Sequence, residues 1–410
     1  MHNKFTIVTP IQGGQQGKVQ ALLKPCPYVC AETPDDPFGF ARIETLHFAS
    51  LSTFDDPENG WSLVFEHNID GSIEDHIDNV LTVAETLDGG AFLLDLYGNS
   101  AQFKAHTLDG LRDYMLAHVI KPQAGFISAV GMTRDQIRLD ARVYEVVDEE
   151  LGSGAPPATS DAAAARVLQA LDTDPQTKGW DGVADPGTKL PIIPKILSIL
   201  AALFHGIAFL VLVLVNLVRE RTADQDSARP DPDLRRSLEK NEDLISTNHM
   251  ISVVYLHTDA GRQLAKRAGF GLIRNLVTLI FRNSFLGEIN TIHFAHWSYT
   301  KDNRRLIFVS NYDGSWRSYL DDFTLKASNG LNLAWAHSIG FPKTWAMLWG
   351  GASKGPEFID YARRSMVPTL VWYHAYPSVS VTNIARNRKL RAALIKSKNG
   401  AKDTSWLEIV

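Results

Sequence analysis

The sequence carries one short polar motif twice, Asn-x-Asp-Gly-Ser, beginning at Asn68 and at Asn311. A carboxylate that is held at a strand end and shielded from water can transfer protons. Asp70 and Asp313, with the two asparagines beside them, are therefore candidate catalytic residues. The same residues also suit a strand-to-helix joint, because Asp-Gly forms a tight turn and the serine can cap the next helix. The motif by itself leaves both interpretations open.

A second shared pattern, Thr-x-His-Phe-Ala, places His47 and His293 at matching positions of two predicted strands. An interior histidine is more often a hydrogen-bonded core residue than a ligand, but neutral imidazole is also a common ligand of haem iron. His47 therefore joins the catalytic candidates. The candidate haem-binding residues are His293, His296, His337 and Trp297, with His293 and His337 as the candidate iron ligands.

These patterns belong to a longer internal repeat. Residues 45–49 return at 291–295, and residues 63–72 return at 306–315, in the same order along the chain. Further on, a segment that begins at Gly125 runs loosely parallel to one that begins at Leu370. Matching segments in this order indicate one folding unit written twice.

Hydrophobic periodicity predicts the elements of each unit as strand, helix, strand, strand, helix, strand. That order is the ferredoxin-like split unit, so the predicted fold class is α+β, a tandem duplication of ferredoxin-like units with their sheets facing each other. In the first unit the predicted elements are a strand at 5–9, a helix at 17–23, strands at 45–53 and 63–68, a helix capped by Ser72, and a strand at 92–97.

Alternation along the first repeated strand assigns its faces. Leu46 and Phe48 are predicted to pack on the helices, whereas Thr45, His47 and Ala49 are predicted to point between the sheets. The second unit follows the same alternation, which places its histidine and a tryptophan in the space where a ligand would bind.

An apolar run of 23 residues without formal charge, Ile196 to Val218, separates the two units. It is long enough to span a bilayer. A single crossing would put the two units on opposite sides of the membrane, however, so their sheets could not meet. The sequence therefore predicts a helix that dips into or lies along one leaflet, with a buried helix of a soluble protein as the less favoured alternative.

Composition limits the partners and the location. The 410 residues carry a net charge of -5, which gives no reason to expect nucleic acid. Two cysteines and no secretory signal at the start predict a membrane-associated location on the cytoplasmic face. Membrane lipid and a lipophilic small molecule are the expected partners, with oligomerisation left open. The predicted segments are 1–151 first unit, 152–188 linker, 189–221 apolar helix, 222–248 linker, 249–398 second unit and 399–410 tail.

The repeated motifs resemble those of a group of bacterial membrane-associated proteins with tandem ferredoxin-like repeats. More distantly, the chain is similar to the dye-decolorizing haem peroxidases, in which an Asp of a Gly-x-x-Asp-Gly motif assists peroxide cleavage. Asp70 and Asp313, each followed by glycine, match the last two positions of that motif. His67 and Ser310 stand where its leading glycine would be.

The resemblance implies a membrane-attached, haem-dependent, peroxidase-like oxidoreductase that acts on a lipophilic substrate such as a fatty acid. Two alternatives stay open at this point. One is a non-catalytic lipid-binding or scaffold protein, in which the polar repeats are only turns. The other is a haem-free enzyme that uses the His and Asp pairs on acyl substrates.

Overall fold

The computed structural model describes residues 2–30, 33, 36–152, 159–183, 190–221, 229–280, 286, 288–400 and 405–410. These residues form an α+β protein in which almost all strand pairs are antiparallel. The first half of the chain contains β1 (His2–Pro10), α1 (Gln16–Leu23), β2 (Val29–Cys30), β3 (Leu46–Asp56), β4 (Gly60–Asp70), α2 (Ile73–Asp88), α3 (Ala91–Gly98), α4 (Leu108–Ala117), β5 (Val119–Ile120), β6 (Ala124–Ile127), α5 (Arg134–Gly152) and α6 (Ser160–Thr173).

The apolar helix and a short helix lead into the second half. It contains α7 (Ile192–Arg221), α8 (Pro232–Glu239), β7 (Thr247–Tyr255), α9 (Ala260–Ile280), β8 (Ile292–Tyr299), β9 (Arg305–Asp313), α10 (Trp316–Lys326), α11 (Ser328–Trp335), β10 (Thr344–Trp345), β11 (Trp349–Gly350), α12 (Pro356–Ser365), β12 (Thr369–His374) and α13 (Val381–Lys398).

The two halves exchange one strand each. The six-stranded sheet has the order β2-β12-β3-β4-β1-β5, and the four-stranded sheet has the order β6-β8-β9-β7. Strand β12 of the second half therefore pairs with β3 of the first half, and β6 of the first half pairs with β8 of the second. The strands β12-β3-β4-β1 and β6-β8-β9-β7 follow the same order in their sheets. The α+β class is confirmed.

The ferredoxin-like order within each half is not confirmed. The segment predicted as a fourth strand at 92–97 is helix α3, so the strand prediction is wrong. Its buried residues, Leu93, Leu96 and Tyr97, follow helical spacing. The strand that completes each four-stranded set comes from the other half, β12 for the first set and β6 for the second.

The sheets pack face to face, and the contact between them changes character along the strands. At one end Phe54 and Val64 of the first sheet pack against aliphatic residues of β7 and β9. Nearer the other end the facing residues are polar, and Thr6 Oγ1 of β1 lies 3.2 Å from His296 Nε2 of β8. The polar end holds the repeated motifs.

A β-bulge alters the predicted faces of β3. The register between β3 and β4 shifts between Leu46 and Phe48, so that His47 and Phe48 both point toward the second sheet. The predictions for Leu46 and His47 are confirmed, but those for three other residues are wrong. Phe48 faces the other sheet, Ala49 faces the helices, and the Thr45 hydroxyl lies 3.3 Å from His76 Nδ1 of α2.

Helix α7 lies against α9 and leaves most of its apolar surface exposed. Its stretch Ile192–Val215 has a mean hydropathy of 2.6, and it is the one helix of the described residues that is long and apolar enough to cross a membrane. Phe209 and Val213 are buried in the contact with the second core. Residues such as Phe204 and Ile207 are 70% and 65% exposed.

Candidate functional site

Two His–Asp pairs occupy equivalent places between the sheets. His47 Nε2 lies 3.2 Å from Asp70 Oδ2, and His293 Nε2 lies 2.8 Å from Asp313 Oδ1. Each histidine stands at the bulge of its strand, and each aspartate ends the neighbouring strand. The sequence repeat therefore produces the same side-chain pair twice.

Each aspartate also joins its strand to a helix that follows much later in the chain. Asp70 Oδ2 accepts a hydrogen bond from the backbone N–H of Arg134, 2.9 Å away, at the start of α5. Asp313 Oδ2 accepts one from Val381 N–H, 2.7 Å away, at the start of α13. A carboxylate at a helix N-terminus stabilises the first turn, so both aspartates have a structural role.

The turns that follow the aspartates have the geometry predicted for a strand-to-helix joint. Gly71 and Gly314 have φ of 89° and 82°, which favours glycine. Ser72 accepts a hydrogen bond from a first-turn amide of α2, and Ser315 does the same for α10. The structural interpretation therefore accounts for the Gly-Ser part of the motif.

The two pairs differ in what surrounds them. Around the first, His2 Nδ1 lies 3.1 Å from Asp70 Oδ1, and the Tyr376 hydroxyl lies 3.0 Å from His47 Nδ1. Around the second, the Thr247 hydroxyl takes the place of His2 and donates to Asp313 Oδ1 at 3.1 Å. The first carboxylate therefore faces two imidazoles, and one of them contacts a phenol.

Burial shapes the protonation of the first pair. Burial lowers the pKa of His47 below its usual value and raises the pKa of Tyr376 well above its own, so both are neutral at pH 7. Burial would also raise the pKa of Asp70, but the adjacent His2 and His47 and the Arg134 amide outweigh it and hold that pKa well below the ordinary range. The site therefore combines a carboxylate with a neutral imidazole.

Aromatic rings fill the space between the two pairs. Phe48 stacks on His374 with ring centroids 4.5 Å apart, and it lies 5.6 Å from Phe294 of the other half. Tyr376 lies 5.1 Å from His374 and 6.1 Å from His293 by the same measure. The rings of the two halves thus form one continuous packed layer.

The asparagines of the repeat contact other buried side chains. Asn68 donates to Glu66, which also accepts a hydrogen bond of 3.1 Å from the Ser50 hydroxyl. The side-chain oxygen of Asn311 accepts from Trp372 Nε1 at 2.9 Å and from His249 Nδ1 at 3.1 Å. Both asparagines therefore organise the polar layer between the sheets.

The remaining predicted haem-binding residues do not gather around one space. His296 faces Thr6 of the first sheet, whereas Trp297 packs on the helix side against Trp335, with ring centroids 5.5 Å apart. His337 follows α11, where burial and the charge of Lys266 of α9 lower its pKa to about 3. The predicted iron ligands His293 and His337 thus belong to different environments.

A haem needs an open slot with a free imidazole nitrogen directed into it. No histidine lines the cavity bounded by Phe308 and Tyr361, the cleft bounded by Arg138 and Tyr376, or the cleft bounded by Arg235 and Trp316. His47 has a protein neighbour at each ring nitrogen, and the packed layer of aromatic rings covers His293 and His374. The residues present do not fit a haem, and haem binding stays a prediction of the sequence that this geometry does not favour.

An open cleft of about 660 Å³ lies beside the first pair. Its walls are α5, including Arg138 and Arg142, and the loop between β12 and α13. Tyr376 belongs to this loop and to the cleft lining, so it connects the cleft with His47. The lining offers both charged and apolar groups to a ligand.

Sequence reasoning missed His2, Tyr376 and Glu66. His2 is paired with Asp70 in the register of β1 and β4, and that register is not readable from local pattern. Tyr376 comes from the loop after the exchanged strand β12. Glu66 shares its strand with the Asn68 motif, and a carboxylate inside an apolar strand is a signal that could have been noticed.

Comparison of the chain with protein-family models, with curated proteins and with solved structures finds no match.

Proposed function

We propose that this protein is an enzyme attached to the surface of one membrane leaflet, that it acts on a lipophilic molecule, and that its reaction centre is the cluster of His47, Asp70 and Tyr376. The observation that carries the proposal is the exposed apolar helix α7 on a protein whose two halves are interleaved. The oxidoreductase class follows only from the distant resemblance of the motifs.

The strand exchange supports attachment to one leaflet. Helix α7 lies between the halves in sequence, and each sheet contains a strand from the other half. A crossing by α7 would separate strands that are hydrogen-bonded to each other. A helix of 30 residues, about 45 Å long, can instead lie in the plane of the interface with its exposed side in lipid.

An exposed aromatic hairpin beside α7 adds to this surface. Trp345 and Trp349 belong to the β10–β11 hairpin, their rings lie 4.8 Å apart, and they are 59% and 50% exposed. Strand β10 contacts α7. Tryptophan prefers the level of the lipid headgroups, because its ring is apolar and its N–H is polar.

The proposed reaction centre rests on the asymmetry between the two pairs. The second pair is completed by a threonine hydroxyl, which is an ordinary structural partner. The first pair has His2 and Tyr376 in addition, and Tyr376 reaches the open cleft. Groups that can transfer protons or bind a ligand therefore concentrate around the first pair.

Flotation with liposomes tests the membrane part. Wild-type protein should float with vesicles of phosphatidylethanolamine and phosphatidylglycerol, and the double variant F204E/I207E should lose at least about tenfold of that binding. Leu244 is 57% exposed but lies outside α7, so L244E is the matched control and should float normally. Equal flotation of all three proteins would contradict the proposal.

Proteolysis of the bound protein tests the single leaflet. A protease added outside preformed liposomes should digest both halves of the wild-type chain. Protection of either half would mean that α7 crosses the bilayer.

Untargeted mass spectrometry separates an enzyme from a lipid-binding protein, the second candidate that the open cleft supports. Liposomes containing free fatty acid are incubated with wild-type protein and with Y376F, and their lipids are compared. New products with wild type but not with Y376F support the enzyme. A bound lipid without any new product supports the binding protein.

A further inference from the structure

We propose that His2, His47 and Asp70 bind one divalent transition-metal ion. The inference rests on the proposed function only for the location of the reaction centre. One ligand atom from each side chain is available, and these atoms all lie within 4.8 Å of one another. Two imidazoles and one carboxylate are a ligand set that suits zinc, iron(II) or cobalt(II), whereas calcium and magnesium prefer oxygen ligands alone.

The proton count at His2 supports the assignment. His2 Nε2 lies 3.0 Å from the carbonyl oxygen of Ala129, which can only accept, so Nε2 must carry a proton. In the neutral ring, Nδ1 then presents a lone pair to Asp70 Oδ1 at 3.1 Å. Two acceptors at this distance repel each other unless a positive charge lies between them.

His47 can present a lone pair to the same carboxylate. Its Nδ1 can donate to the Tyr376 hydroxyl at 3.0 Å, which leaves Nε2 unprotonated 3.2 Å from Asp70 Oδ2. Neither His2 Nδ1 nor His47 Nε2 has the geometry of a hydrogen bond to another described residue. Neighbouring ligands about 2.1 Å from an ion lie about 3.0 Å apart at right angles and about 3.4 Å apart at the tetrahedral angle. Both separations therefore suit one ion held by the two imidazoles and by both oxygens of Asp70.

The protein holds all three ligands in place. The Ala129 carbonyl orients His2 through Nε2, the Tyr376 hydroxyl orients His47 through Nδ1, and the Arg134 amide donates to Asp70 Oδ2. Metal ligands commonly have such partners, which fix the tautomer and the direction of the ring. The Asp70 side chain is 13% exposed, so water or a ligand can reach the remaining coordination positions.

The second half provides an internal control. Thr247, His293 and Asp313 occupy the equivalent positions, but the Thr247 hydroxyl donates a proton to the carboxylate. Asp313 Oδ1 also lies 2.8 Å from His293 Nε2, so this carboxylate has a proton donor where Asp70 faces His2 Nδ1, and it needs no ion. The variant H2T gives the first site the composition of the second, so it should fold.

Cobalt titration of the full-length protein tests the site. The protein is purified in detergent with a tag that contains no histidine, stripped with a chelator and titrated with Co²⁺ while its visible absorption is recorded. We expect one ion per chain. H2T and H47Q should weaken binding by roughly 100-fold or more, and H293Q should change it by less than about threefold.

Two results would overturn the metal site. One is that the wild type binds Co²⁺ no more tightly than H2T does. The positive charge next to His2 would then be a proton on its imidazole and not a metal ion. The other is an equal loss of Co²⁺ binding in H293Q and H2T.

Flotation of H2T with liposomes is measured in parallel, because membrane attachment does not need the ion. Loss of metal binding with normal flotation therefore reports on the ion alone, and loss of flotation in F204E/I207E reports on the membrane alone.

Discussion

Glu66 is a carboxylic acid without exposed surface, and its partners are the neutral side chains Ser50 and Asn68. Burial raises the pKa of Glu66 to about 8 from an ordinary value of 4.5, and its hydrogen-bond partners offset this only in part. The group is therefore protonated in the folded protein at neutral pH, and the polar layer between the sheets is uncharged at this position.

This pKa predicts a pH-dependent stability. Between pH 4.5 and about 8 the folded state holds a proton that the unfolded state releases, so the free energy of unfolding falls as pH rises. E66Q replaces the neutral acid by a neutral amide and should remove this dependence. We expect E66Q to gain on the order of 2 kcal/mol relative to wild type between pH 5 and pH 8, measured by urea unfolding.

The matched control is E58Q, since the Glu58 side chain is 52% exposed. It should show no comparable gain over the same interval. A stability difference between E66Q and wild type that stays constant with pH would contradict the raised pKa of Glu66.

At the scale of elements, the exchanged strand β6 depends on a close approach between its own backbone and that of β8. Gly125 is paired with His296 of β8. A Cβ atom at this position would lie 2.7 Å from the Ala295 carbonyl oxygen and 2.9 Å from His296 Cβ, and it would also collide with the Lys4 side chain. Strand β12 has Trp372 at the equivalent position. Trp372 is paired with Ser50, which is the counterpart of His296 in the first sheet.

The close approach predicts that G125A destabilises the protein by about 2 kcal/mol, because backbone must move to admit the methyl group. Thermal unfolding followed by circular dichroism measures the effect. G17A in helix α1, where a Cβ would meet nothing within 4 Å, is the control and should be neutral or slightly stabilising. A G125A protein as stable as G17A would show that β6 does not pack as described.

At the scale of the whole molecule, the halves are held together by more than the exchanged strands. The Arg391 guanidinium of α13 forms a buried ion pair of 2.6 Å with Asp140 of α5. The two helices also share a core with α6, Trp180 and Trp406. Neither half retains its full set of strands or its helix contacts when it is alone.

Splitting the chain tests this interdependence. Fragments 1–186 and 187–410, co-expressed with a tag on one of them, should purify together in detergent as a complex with one copy of each. Each fragment expressed alone should be aggregated or unfolded, because it lacks an edge strand of its four-stranded set and exposes that edge. Two separately folded, monomeric fragments would contradict the interleaved fold.

Local patterns in the sequence determined the repeated motifs, the strands β1, β3 and β4 with their counterparts β7, β8 and β9, the capped helix after each Asp-Gly turn and the apolar helix α7. These features depend on neighbours in the chain, such as Ser72 and the amides that follow it, or on the length of one apolar run.

Only the tertiary structure decided which strands pair and which sheet or helix layer each side chain faces. One extra residue at the bulge reverses the alternation from Phe48 onward, and the local pattern contains no sign of it. The cluster around Asp70 brings together residues from the first strand, the third strand and the far end of the chain, and their register depends on pairings that no local period encodes.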